Sequence, residues 1–149
     1  MTRTYSTNGK IYSVDMMIAY VSIFKPEYKK VDLKDFINVI DYKGWGDPIT
    51  KKMYSPSDVI NNKRIYKKEY ERIKSANLNY PIIISNDQII DGVHRYIKAY
   101  MSGKKTIKAY VFPQNLMNKF IINRNENWKV VDSMDINDYI KLFCKRFIK

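Results

Sequence analysis

The 149 residues include one cysteine and one histidine. A lone cysteine excludes an internal disulfide, which fits a reducing compartment, and Cys144 with His94 cannot build a zinc site of the usual kind. Apolar runs are short: no segment reaches the roughly twenty apolar residues of a membrane span, and Met1 to Lys10 lacks the apolar core of a secretory signal. The expectation is a soluble, intracellular protein, cytoplasmic or nuclear, with no membrane partner. Internal repeats and low-complexity linkers are missing, and so is any helix-turn-helix extension, so sequence-specific DNA reading of that type is not expected. Acidic residues are scarce, 15 Asp and Glu against 27 Lys and Arg, which leaves a net charge of +12. Such an excess is the electrostatic footprint of a polyanion partner. The abundance of Lys, Ile, Asn and Tyr is also what A/T-rich codons would produce, so charge alone leaves the partner open.

Apolar residues make up 45% of the chain, enough for a single domain over 1–149 to bury a core without disulfides. Its organising stretch is residues 80 to 112. Ile82, Ile83 and Ile84 form an apolar run, Ser85-Asn86-Asp87 a polar turn, and Gln88, Ile89 and Ile90 a return strand. Asp91 stands where a helix N-cap would stand. Gly92 allows close backbone approach, Tyr96, Ala99 and Tyr100 recur at helical spacing, and Gly103 ends the helix before a strand from Thr106 to Phe112.

A helix that opens on free amides, a histidine and an arginine has the parts of an anion site. Its N-H groups and dipole favour negative charge, and the Arg95 guanidinium can hold two phosphate oxygens. His94 can donate a hydrogen bond to an oxyanion or move a proton near neutral pH. The bland readings are a histidine satisfied by a local carbonyl and an arginine that pairs with Asp91 or Asp87 and merely ties the turn. Asp91 is more readily a cap than a catalytic carboxylate, because beside bound phosphate it would repel unless a cation intervened.

The series Ile-Ile-Asp91-Gly92-Val93-His94-Arg95, helix, Gly-Lys-Lys-Thr-Ile, strand resembles the ParB/sulfiredoxin superfamily over about residues 54–112. In sulfiredoxins the corresponding turn is Gly-Cys-His-Arg and cradles ATP phosphates; Gly92, His94 and Arg95 match it, with Val93 in place of the cysteine. In ParB proteins a Glu-Arg-Arg version binds the triphosphate of CTP, and some members are described as nucleases or kinases. The texture is also similar to small ParB-like proteins of large DNA viruses and phages. The resemblance implies an α/β (α+β) fold, a small mixed β-sheet with packed helices. It also implies a nucleotide or nucleic-acid partner, with ATP or CTP and Mg2+ as the cofactors to expect.

As phosphate-binding groups the resemblance implies Gly92, Val93, His94 and Arg95, joined by Lys63 and Arg64 from the preceding helix, with Arg72 as an outside candidate; Lys98 and Lys104 are secondary basic candidates by their place on and after the helix. As catalytic candidates it implies His94, Arg95 and Asp91, for phosphodiester cleavage or phosphoryl transfer. No metal ligands are assigned. Without a thiol at Val93 the chain lacks the sulfiredoxin nucleophile. The alternative is a non-catalytic basic DNA-binding or protein-interaction module on the same fold.

Elsewhere, residues 1–9 read as loose. Ser13 reads as the cap of a helix through Val14, Met17, Ile18, Val21 and Phe24, and Tyr28 to Asp32 as a strand. Leu33 to Ile40 reads as a turn or short helix, and Lys43 to Pro48 as a loop whose Trp45 either plugs the core or stacks on a base. Ser55-Pro56 starts a short helix and Lys63 to Ala76 a second one, with Ile65, Tyr66, Tyr70 and Ile73 on one face and Glu69 on the solvated side. Pro113 to Ile122 reads as helical, Trp128 to Val131 as a last strand, and Ser133 as the cap of a final helix that presents Ile136, Tyr139, Ile140, Phe143 and Phe147.

Overall fold

The computed structural model describes residues 3 to 148. In chain order the elements are β1 (Thr4–Thr7), β2 (Lys10–Ser13), α1 (Val14–Phe24), β3 (Lys29–Asp32), a 3-10 stretch (Leu33–Asp41), β4 (Trp45–Gly46) and β5 (Met53–Tyr54). There follow α2 (Pro56–Asn61), α3 (Lys67–Ser75), β6 (Ile82–Ser85), β7 (Gln88–Asp91), α4 (Val93–Met101), β8 (Thr106–Val111), α5 (Gln114–Met117), β9 (Ile121–Asn123), α6 (Trp128–Asp132) and α7 (Ile136–Phe147). This is a mixed α/β chain with small sheets. It packs as two compact units, one from the segments before Tyr28 and after Val111, the other from Tyr28–Val111.

In the first unit β1, β2 and β9 form a three-stranded antiparallel sheet. Of residues 1–9, Met1 and Thr2 lie outside the described residues, and Thr4–Thr7 is a strand rather than loose. Asn8 and Gly9 both take positive φ, the geometry of a tight hairpin turn, and pair Thr4–Thr7 with Lys10–Ser13. Ser13 caps α1 as expected, its hydroxyl accepting from the Met16 amide at 3.1 Å. Tyr20 of that helix meets Phe112, Phe120 and Phe147, an aromatic cluster that holds α7 in the unit. Residues 128–131 form a helix, not a strand, because the Asn127 side chain accepts from the Lys129 and Val130 amides and nucleates the turn. The helical reading of 113–122 holds only to Phe120, beyond which Ile121–Asn123 pairs with β2. The cap of α7 is Asp135 rather than Ser133, in a reciprocal box with Asp138, and along the helix Tyr139 and Phe143 face inward while Ile136 and Ile140 face outward.

The second unit carries the four-stranded sheet β3-β8-β6-β7. Asn86 and Asp87, both at positive φ, turn β6 antiparallel onto β7, and α4 then returns the chain so that β8 runs parallel to β6. Ile82, Ile84, Ile107 and Ala109 face a core completed by Tyr96, Ile97, Val59, Ile73, Leu33 and Phe36. The Tyr96 hydroxyl, wholly buried, donates to the Leu33 carbonyl and ties α4 to the 3-10 stretch. Ser55 and Asp58 cap α2 as a box, Asp58's carboxyl being held down to about 2 by the Ser55 amide and then by Lys43. The expected helix 63–76 begins only at Lys67, after a turn that leaves Ile65 74% exposed instead of on the apolar face.

Candidate functional site

The turn into α4 is set by glycine geometry. Gly92 has φ +109°, and a Cβ there would lie 2.5 Å from Cγ2 of Ile82, itself fully buried in β6. Only glycine lets the backbone pass so close to the strand. The first intrahelical bond runs from the Tyr96 amide to the Gly92 carbonyl at 3.0 Å, so the amides of Val93, His94 and Arg95 have no acceptor within the helix. Val93 packs its side chain on the core. Asp91 is not the cap; it ends β7, and Gly92 occupies the cap position.

The Arg95 side chain folds back from the helix. Nη2 donates to Asp91 Oδ2 at 2.9 Å, and Nη1 donates to the Pro81 carbonyl at 2.8 Å and the Tyr80 carbonyl at 3.2 Å. Both charged side chains are less than a fifth exposed. The guanidinium thus binds the end of β7 to the chain entering β6, which is the tie that the bland reading of the sequence described.

His94 turns to a different partner. Its Nε2 is 2.7 Å from Glu69 Oε2 on α3, and its ring stacks on Trp45 with centroids 4.9 Å apart and planes 15° from parallel. Glu69 also pairs with Arg72 at 3.4 Å. Trp45 tilts against Tyr54, which stacks on Tyr66. The result is a Glu69–His94 pair beside the rings of Trp45, Tyr54 and Tyr66. Hydrogen bonding from His94 lowers the Glu69 carboxyl below its ordinary range, against the opposing effect of burial. Burial first, and Glu69's charge second, raise the Tyr54 phenol. At neutral pH Glu69 is therefore an acceptor, so Nε2 of His94 carries the proton and Nδ1 is the nitrogen left for a ligand.

A stability prediction follows from the lowered carboxyl. Because the folded value lies below the unfolded one of about 4.3, the contribution of Glu69 is complete above that value and fades as pH falls through the folded one. Glu69→Gln should cost about 2 kcal/mol at neutral pH, and the gap from wild type should narrow as pH falls below the ordinary carboxylate range. Urea unfolding of both proteins across that range checks it; a gap that does not change with pH would contradict it.

The remaining sequence candidates are placed apart from this cluster. Lys63 and Arg64 lie in the exposed turn before α3, Lys63 Nζ being 5.1 Å from the Tyr70 ring, whereas His94 and Arg95 hydrogen-bond through their side chains to Glu69, Asp91, Tyr80 and Pro81. Lys98 is held by the protein: its Nζ donates to the Lys74 and Ala76 carbonyls, both at 2.7 Å, and fastens the end of α3 to α4. Cys144 is exposed on α7, in the other unit. Among the described residues no three His, Cys, Asp or Glu side chains gather as a metal site, and no helix is long and apolar enough to cross a membrane.

Sequence reasoning passed over Glu69, Tyr54 and the contact of Trp45 with His94. A signal for Glu69 was present: it stands three residues after Tyr66 and four before Ile73, on the face that packs inward, where an ionised side chain needs a partner. Trp45 turned out half-buried, with one ring face against the imidazole. No family model, curated protein or solved structure matches the chain.

Proposed function

We propose that the chain is a ParB/sulfiredoxin-like protein that binds the phosphate of a nucleotide or nucleic acid at the start of α4 and acts on it by phosphodiester cleavage or phosphoryl transfer. The observation that supports this best is the position of His94. It sits in the first turn of a helix whose leading amides favour an anion, it is 23% exposed, and a partly buried carboxylate holds it at 2.7 Å. In that arrangement the amides from Val93 onward bind a phosphate oxygen, and Nδ1 of His94 takes a proton from the attacking water or hydroxyl. Glu69 orients the imidazole and stabilises the charge that develops on it.

Arg95 and Asp91 are positioning residues in this reading, since each holds the other and the turn. ATP or CTP with Mg2+ fits the chemistry, the ion being held largely by the phosphates. Sulfinic acid reduction does not, because Val93 brings no thiol to the turn. The engagement of both terminal nitrogens of Arg95 by protein groups favours a second reading, a basic binding module that uses the same amides without catalysis.

The test is an amide-resolved NMR titration of the wild-type chain and of His94→Ala with ATP, CTP and GTP, with and without Mg2+. Saturable shifts centred on residues 92–95 are expected. Phosphate hydrolysis that disappears in the variant while the shifts persist would separate the catalytic reading from the module.

A further inference from the structure

At the far end of α4 from His94 lies an open groove of about 370 Å³ whose polar lining includes Lys30, Lys104, Lys105, Lys108, Asn79 and Thr106. Four lysines and no carboxylate line it. Among the described residues none of the four lysines forms an ion pair. The nearest acidic residue on β3, Asp32, pairs in register with Thr106 and stands outside the lining.

Two features make this more than a solvated face. Lys30 and Lys108 are directly opposite each other on the antiparallel pair β3 and β8, an arrangement in which like charges weaken a sheet. The negative end of the α4 dipole can account for Lys104 and Lys105 just past the helix, but it does not account for two lysines facing each other on strands. A bound polyanion would relieve that repulsion. On the same face, two residues before Lys30, the ring of Tyr28 is 50% exposed, with Lys108 Nζ 5.3 Å from its centroid and Tyr110 edge-on at 6.4 Å. A basic groove beside an open aromatic ring is the combination that holds a backbone and stacks a base.

We infer that this groove binds single-stranded nucleic acid, its lysines on the phosphodiester backbone and Tyr28 against a base. It shares no residue with the start of α4 and stands on its own observations. A negative result here leaves the phosphate site at His94 untouched, and a negative nucleotide titration there leaves the groove untouched.

Fluorescence anisotropy with a labelled single strand of about a dozen nucleotides, measured over a salt series on the full chain, tests it. Lys30→Ala/Lys108→Ala is expected to bind about tenfold more weakly and to flatten the salt slope by about 1.4. Tyr28→Ala is expected to lose about tenfold as well. Lys141→Ala/Lys145→Ala on α7 removes the same charge and is expected to stay within about twofold of wild type, since it leaves the groove intact. Equal losses in the two double variants, or a groove variant that binds like wild type, would overturn the inference. Should the groove variant fail to fold, photocrosslinking of a halogenated single strand to the wild-type chain decides. Adducts on the peptides that carry Tyr28 to Lys30 and Lys104 to Lys108 are expected, and adducts found only elsewhere would overturn it.

Discussion

Gly92→Ala should unfold the second unit more readily by about 3 kcal/mol, one of the largest effects expected of any single methyl group in this chain. Two costs coincide. The backbone at φ +109° is one that L side chains rarely adopt, and the added Cβ would meet Ile82 Cγ2 at 2.5 Å and Arg95 Nη2 at 2.9 Å. Ile82 cannot yield easily, because it is fully buried in β6 between neighbouring core side chains. The guanidinium could yield only by leaving Asp91 and the Pro81 carbonyl. Gly103→Ala supplies the control. That glycine also has positive φ, +74°, but nothing lies within 4 Å of its missing Cβ, so only the conformational cost of about 1 kcal/mol applies. Chemical denaturation of the two variants should separate them by about 2 kcal/mol. Equal losses would mean that the close approach of the turn to β6 is wrong.

Arg95→Ala is expected to cost about 2 to 3 kcal/mol, even with no ligand present. Its guanidinium is four-fifths buried and joins three groups at once, a carboxylate on the strand before the helix and two carbonyls on the chain entering β6. Removal strips each of those acceptors of a charged donor in a place that water reaches poorly. Arg95→Lys should recover less than half of the loss, because a single ammonium cannot span the fork that reaches Asp91 and the Tyr80–Pro81 carbonyls together. The stability comparison also bears on function. If Arg95 met phosphate directly, the alanine variant would keep its stability and lose its ligand. The geometry calls for the reverse order, with stability falling first and any loss of phosphate binding following from a loosened turn.

How much of this was legible beforehand depended on whether the determining contacts were local. The hairpin, α4 and the strand after it were readable because their signals are short-range: an apolar triplet, a polar turn, one glycine and helical spacing. So was the α1 cap at Ser13. The Asn8-Gly9 turn was equally local, yet the polar composition around it pointed to a loose segment, and pairing with β2 overrode that. Trp128 to Val131 has β-branched residues that suggest a strand, but the Asn127 cap satisfies two amides and selects a helix. Around the site, the Arg95–Asp91 tie spans one helical turn and could be anticipated. The Glu69–His94 contact joins residues 25 apart on different helices, and the Trp45 stack spans a still longer stretch of chain. Long-range partners of that kind follow from tertiary packing, of which the position of Glu69 on an inward helical face was the only trace.

The sharpest test of a phosphate site beside His94 is the amide titration with ATP, CTP and GTP in the presence of Mg2+. The Val93, His94 and Arg95 amides are expected to shift together and saturate, with the Glu69 and Trp45 signals following through the imidazole. Shifts that never saturate, or that spread over the lysine-rich surface while residues 92–95 stay still, would contradict it.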